Sequence, residues 1–316
     1  MLIIAVDFGG TNIKLGIVDG DVLKSVRVIS AESSQGIRPK LIQVKEEVFE
    51  MLQESACSIE DIDAVGVAIP GIVNTKTKRV IAINQKYDDA TEINFEAWSQ
   101  EAFGLPVLIE NDTKSAIMGE ITYGCAKGVS DAVLMSFGTG IGTAAVMNKE
   151  LLRGKHFQAG CLGGHIIIDV NGPMCTCGNK GCIEAHAGTW ALPAIAKQRE
   201  GFEQSSLAKS EVIDYKSLSE CMAKGDEFSK SLFEYLLICG GAGIVNLIHA
   251  YDPETVILSG GLMKDKELVL PYIKEYVERY AWTPWGKVDL RVAEKPDFSV
   301  ILGLSSLCKK MIENKK

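Results

Sequence analysis

The chain has 316 residues, 47% of them hydrophobic and 23% charged, and a formal net charge of −8. That is a globular composition with room for two domains, and its acidity argues against a nucleic-acid partner held by general electrostatics. No run of eighteen apolar residues offers a membrane span, and MLIIAVDFGG lacks the charged n-region and long h-region of a signal peptide, so a cytoplasmic location is expected.

In chain order, LIIAVDF reads as a buried strand ending at Gly9-Gly10. IKLGIVDGDVLKSVRVIS reads as two strands joined at Asp19-Gly20, a hairpin signal. Residues 36–55 read as a helix, AVGVAIPG as a second buried strand, and LPVLIEND as a third, followed by a helix through Ile121. DAVLMSFGTGIGTAAVMN then repeats the opening: apolar strand, Gly-rich turn, strand. GGAGIVNLIHAYD is helical, TVILSGG is another buried strand, and a helix follows over 266–281. The unit Val6–Val18 resembles Met135–Val146, and this weak repeat predicts two related domains.

Both Gly-rich turns, DFGGTNIK and SFGTGIGT, offer backbone N–H groups that can cradle an anion. A plain tight turn is the alternative for each. Neither is a P-loop, since no Gly-Lys-Ser/Thr follows, and GTGIG lacks the dinucleotide spacing. Asp7 ends the first strand. Glu110, Asn111 and Asp112 end LPVLIEND, at the strand ends where α/β sheets bind ligands. Asn111 or Asp112 would also serve as a helix cap. The functional reading makes Asp112 a general base beside a bound phosphate.

The chain has nine cysteines. Cys57, Cys125, Cys161, Cys221, Cys239 and Cys308 are scattered singly, as buried thiols in a reducing compartment are. The other three fall in CTCGNKGCIEAH, as Cys175, Cys177 and Cys182. Three thiols lack one ligand of a zinc tetrahedron, and Cys₃His is a common structural set. His165 is the nearest upstream imidazole. Spacing alone leaves His186 and Cys161 as rivals, while His156 and His249 are too far away in the sequence.

Together, DFGGTNIKLG, VAIPGIVN, ENDTKSAIMGE, FGTGIGT, the His-to-CxCGxxGCxE block and GIVNLIHAYDPETVILSGG resemble, in order, the motifs of the ROK sugar kinases and regulators. The resemblance runs from about Ile3 to Leu304. It implies an α/β, actin-like ATPase (ribonuclease H-like) fold, two domains around a cleft. The division expected is residues 1–117, joined by a C-terminal helix over 299–316, and residues 118–298 with the zinc loop. It implies a structural Zn²⁺ on His165, Cys175, Cys177 and Cys182, with the zinc loop also shaping the sugar pocket. Asp112 matches the catalytic base. Asn84, Asn111, His165 and Glu184 match sugar-binding positions. Gly9, Gly10, Thr11, Gly138, Thr139 and Gly140 match the phosphate turns, Gly260 and Gly261 the adenosine side, and Asp7 the group reaching Mg²⁺ through water. The implied ligands are Mg·ATP and a small sugar, with no nucleic acid or membrane partner and a homodimer or higher homo-oligomer.

One departure concerns the family's G-E-x-G-H run, whose Glu helps bind the sugar's first carbons. Here the run reads AGCLGGH, so the Glu position holds Leu162 or Cys161. Gly188 also stands where many relatives have Ser. Glucose is therefore no default substrate, and recognition near the first carbons is expected to be relaxed or shifted. The family also contains non-catalytic sugar-sensing regulators with an N-terminal helix-turn-helix. The first phosphate turn lies at residue 8, the charge is acidic and Asp112 is present, which favours a kinase.

Overall fold

A computed structural model describes residues 1–314 and divides the chain into two compact units. One comprises residues 1–128, 151–161 and 293 onward. The other comprises residues 129–150 and 162–292. A division at residue 117 would cut the helix Asp112–Tyr123.

The N-terminal unit is built on β1 (Leu2–Phe8), β2 (Asn12–Asp19), β3 (Val22–Ser30), β4 (Ile62–Ile69) and β7 (Val107–Asn111), in the order β3-β2-β1-β4-β7. β1 pairs antiparallel with β2 and parallel with β4, which runs parallel to β7. Side chains alternate across β1. Ile4, Val6 and Phe8 enter the core that also buries Val44, Val48 and Met51 of α1 (Arg38–Glu54). Ile3 and Ala5 face Ile301, Leu304 and Cys308 of α9 (Ser299–Glu313). A small antiparallel hairpin, β5 (Ile72–Asn74) with β6 (Arg79–Ala82), and α2 (Phe95–Phe103) complete this half. α9 also crosses α3 (Asp112–Tyr123) at very short range. A methyl group at Gly303 would lie 1.7 Å from the Ser115 carbonyl oxygen, and one at Gly119 would lie 2.1 Å from that of Ser299. Only glycines let the two backbones meet there.

The C-terminal unit repeats the plan. β8 (Ala132–Phe137) pairs antiparallel with β9 (Ile141–Met147) and parallel with β11 (Thr255–Gly260), which runs parallel to β12 (Asp289–Val292). The short β10 (Glu150–Leu151) gives the order β10-β9-β8-β11-β12. Position for position this is the first sheet, the pair of related domains expected from the repeated strand–turn–strand unit, and the duplication is the actin-like, ribonuclease H-like arrangement that the ROK resemblance implies. Around it lie α4 (Ile183–Ala187), α5 (Leu192–Lys197), α6 (Tyr215–Ala223), α7 (Glu227–Tyr251) and α8 (Lys266–Tyr280). α7 is long and apolar enough to cross a membrane, but 67% of its most apolar stretch is buried in the protein, as in a core helix.

Candidate active site

In the N-terminal unit, β1 delivers Asp7 half-buried at the mouth of the turn Gly9–Thr11. The turn's carbonyls are held from behind. Tyr87 Oη donates to Gly9 O at 2.8 Å, Ser33 Oγ to Gly10 O at 3.0 Å, and Ala31 N to Thr11 O at 2.9 Å.

β7 delivers Asn111 and Asp112 to the start of α3. Asn111 Oδ1 accepts from Lys114 N at 3.0 Å, the expected cap, and its Nδ2 donates to Gly71 O at 3.0 Å. Asp112 Oδ1 accepts from Thr113 N at 2.7 Å. Asp7 and Asp112 feel one another. Burial raises the Asp7 carboxyl from its ordinary range to about 7, the Asp112 charge pushes it the same way, and Lys14 opposes both. Asn84 is exposed in the loop before Tyr87.

The raised Asp7 carboxyl costs stability. A carboxyl that prefers its proton in the folded state stabilises the fold below its unfolded value near 4, and that contribution is lost as pH rises through about 7. Asp7→Asn mimics the protonated form. It is expected to raise the melting temperature of the ligand-free protein at pH 8, and to raise it progressively less as the pH falls towards about 4, as differential scanning calorimetry across that range will show.

The segment 151–161 is anchored beside α3. Arg153 places Nε and Nη2 on Glu110 Oε2, at 2.8 and 2.7 Å, and Glu110 is 1% exposed. Lys114 Nζ donates to Phe157 O at 2.9 Å. The Cys161 thiol lies against the carbonyls of Phe157 and Gln158, at 3.7 and 3.4 Å, and burial pushes its pKa up. Leu162 is 39% exposed.

In the C-terminal unit, Phe137 ends β8 and the chain turns through Gly138–Gly140. Thr189 donates twice to Gly138 O, from N at 3.1 Å and Oγ1 at 2.8 Å, and Trp190 N donates to Thr139 O at 3.1 Å. Glu184, on α4, braces the same turn. Its Oε2 accepts from Ile141 N at 2.9 Å and its Oε1 from Trp190 Nε1 at 3.3 Å. A side chain at position 140 would collide with that carboxylate, since a Cβ there would lie 2.3 Å from Glu184 Oε2. A cavity of about 360 Å³ opens beside the turn, lined by Gly138, Thr139, Thr189, Tyr215, Gly261 and Lys264 among others. Gly260, with φ of 90°, makes the corner from β11 into that wall.

The structure brings four of the Cys and His candidates together. One ligand atom each from His165, Cys175, Cys177 and Cys182 lies within 4.8 Å of the others, a group that can hold a metal ion. His165 Nδ1 is 3.6 Å from Cys175 Sγ, and Cys177 Sγ is 3.6 Å from Cys182 Sγ. Those edges fit a tetrahedron with metal–sulfur bonds of about 2.3 Å and metal–nitrogen bonds of about 2.0 Å. Burial, and then the neighbouring thiols, push Cys182 up to about 12. A cation reverses that penalty by taking up the thiolate charge. The rivals lie outside this group: His186 Nδ1 sits 2.5 Å from Tyr235 Oη, and Cys161 belongs to the other unit.

Asp7, Gly9–Thr11, Asn111 and Asp112 thus form one group, and Gly138–Gly140, Glu184, Gly260 and Gly261 another. Thr189, Tyr215 and Lys264 line the cavity but went unnoticed in the sequence. Only the Asp214-x-x-Ser217 capping box, which opens α6 at Tyr215, could have flagged that wall.

A duplicated ribonuclease H-like sheet with two glycine turns and a Cys₃His cluster defines a class of sugar kinases and sugar-responsive regulators. The ROK family model matches residues 3–311, and the chain belongs to that family. It is 28% identical to a glucokinase of Thermotoga maritima over 98% of both chains. It is 29% identical to the xylose repressor of Bacillus spizizenii, over 77% of this chain and 60% of that one. Its structure is similar to that of a ROK family glucokinase from Streptomyces griseus in complex with glucose and AMPPNP, with a TM-score of 0.79, 28% identity and coverage of 97% and 99%.

Proposed function

We propose that the chain is a cytoplasmic, ATP-dependent sugar kinase. The reading is carried by the placement of Asp7 on β1 and Asp112 at the β7–α3 junction of one sheet, with the Gly9–Thr11 turn following β1, which supports a proton acceptor next to a phosphate site. The sugar hydroxyl gives its proton to Asp112 as its oxygen bonds to the γ-phosphorus. The bond from that phosphorus to the β,γ-bridging oxygen breaks, and ADP leaves. Mg²⁺ bound with ATP would neutralise the phosphates, and Asp7 would hold it through water. Gly138–Gly140 and the Gly260–Gly261 corner serve the nucleotide, in the cavity of about 360 Å³. Asn84, Asn111, His165 and Glu184 serve the sugar, and Zn²⁺ on His165, Cys175, Cys177 and Cys182 is structural.

The likeness to xylose repressors supports a second reading, a regulator that binds sugar without turnover. Coupled ADP release over a panel of hexoses, amino sugars and glycosides separates the two. The kinase reading expects turnover with at least one sugar, whereas sugar-induced thermal stabilisation without ADP release would favour the regulator.

Specificity is the finer expectation. With Leu162 and Cys161 where relatives carry Glu, no carboxylate is left unpaired by a substrate lacking free hydroxyls at the first two carbons. Fructose, N-acetylated sugars or 1-O-substituted glucosides should therefore compete with glucose in kcat/KM. A preference for glucose above about a hundredfold over all of them, the scale on which buried polar groups discriminate, would overturn this. Leu162→Glu should shift the ranking towards aldoses with both hydroxyls free.

A further inference from the structure

The Gly9–Thr11 turn carries no cation of its own. Between Asp7 and Asn12 there is no Lys or Arg. The nearest lysine along the strand, Lys14, is occupied: its Nζ binds the Asp297 carboxylate at 3.2 Å and the Asp297 carbonyl at 2.9 Å. Phosphoryl transfer spreads charge over the phosphoryl oxygens, and sites of this kind normally meet it with a fixed cation in addition to the metal.

A different lysine lies on the turn. A Cβ built on Gly10 would lie 2.6 Å from both Cε and Nζ of Lys86. The ammonium therefore rests directly against the Gly10 backbone. Lys86 is half-buried and forms no hydrogen bond or ion pair among the described residues. A lysine ammonium has three donors and is costly to hold out of water without an acceptor.

The loop that presents it is held in an unfavourable conformation. Gln85 and Tyr87, on either side of Lys86, have φ of 56° and 50°. Left-handed non-glycine residues are strained and persist only where the surroundings dictate them. Here Tyr87 supplies that support. It is fully buried, stacks edge-on against Phe8 at 5.7 Å, donates from Oη to Gly9 O at 2.8 Å and from N to Ser33 O at 2.8 Å. The same Tyr87 thus clamps the lysine loop to the glycine turn.

We propose that Lys86 is a phosphate ligand of the site, and that its ammonium binds the γ-phosphoryl group at the Gly9–Thr11 turn, replacing the cation that the turn lacks. This rests on the kinase reading. It makes Lys86 a discriminator between triphosphate and diphosphate, because only the former places charge there. Asn84 stays with the sugar, and the loop serves both substrates from adjacent residues.

Lys86→Met and Lys86→Arg test this by calorimetric titration with AMPPNP and with ADP, and by steady-state kinetics with the best sugar of the panel. Lys86→Met is expected to weaken AMPPNP roughly tenfold, lower kcat about 10–100-fold, and leave ADP affinity and the sugar KM within about threefold, with Lys86→Arg recovering most of the loss. Equal losses for AMPPNP, ADP and sugar, or a melting temperature well below that of the wild type, would make Lys86 structural and overturn the proposal. So would an active wild type whose Lys86→Met form matches it in both assays. A wild type that neither binds AMPPNP nor releases ADP with any sugar would instead bring down the kinase reading itself.

Discussion

Asp112→Asn is expected to lower kcat by about 10²–10⁴-fold, the usual contribution of a general base, with sugar affinity and folding preserved. The structural duty of Asp112 is modest: its Oδ1 accepts from Thr113 N at 2.7 Å, and the carboxamide oxygen of Asn can accept the same bond. Asn111, not Asp112, caps α3. The substitution therefore removes proton-accepting capacity with little else. It also removes one of the influences that raise Asp7, so the loss of stability of the ligand-free protein with rising pH should be smaller and complete at a lower pH, although burial, the larger cause, remains. Rapid-mix kinetics at saturating ATP, with sugar binding followed by calorimetry, checks both parts. Turnover within threefold of the wild type would remove Asp112 from the chemistry.

Cys182→Ser should have the largest effect on stability. Cys182 is fully buried, forms the N-cap position of α4 and stands two residues before Glu184. If zinc occupies the cluster, losing one thiolate removes the metal and leaves the remaining thiols crowded in a buried pocket. Loss of a structural metal is among the few single changes that cost several kcal/mol, or very roughly 10 °C for a domain of this size. The damage should spread to the sugar and the turn together, because Glu184 braces Gly140 and Ile141 from the same short helix. Metal analysis of the wild type should return one zinc per chain, and the variant none. A wild type free of zinc, or Cys175 and Cys182 paired as a disulfide, would refute the assignment.

The two sheets were readable because their strands are short apolar runs punctuated by glycine, and because the second copy repeats the first: Phe8 turns to Ile13 as Phe137 turns to Ile141. The Cys/His cluster was readable because three ligands share one short segment, although spacing alone could not choose His165 over His186. The β5–β6 hairpin and α2 escaped notice, since strands as short as Ile72–Asn74 carry no periodicity to read. Within the site, Asp7 and Asp112 sit at strand ends, where position itself carries meaning. Lys86, Thr189 and Tyr215 come from loops and a helix start far apart in the chain, and only folding brings them to the glycine turns. Lys114 shows the same limit. Nothing in its local sequence signals that it is 1% exposed and holds the Phe157 carbonyl.

The measurement that bears most directly on the kinase reading is transfer of the terminal phosphate of [γ-³²P]ATP to sugar, run beside Asp112→Asn. The expected result is label in a sugar phosphate, one per ADP formed, with Mg²⁺ required and transfer nearly abolished in the variant. Sugars that bind and stabilise the protein while no label leaves ATP, in wild type and variant alike, would contradict it.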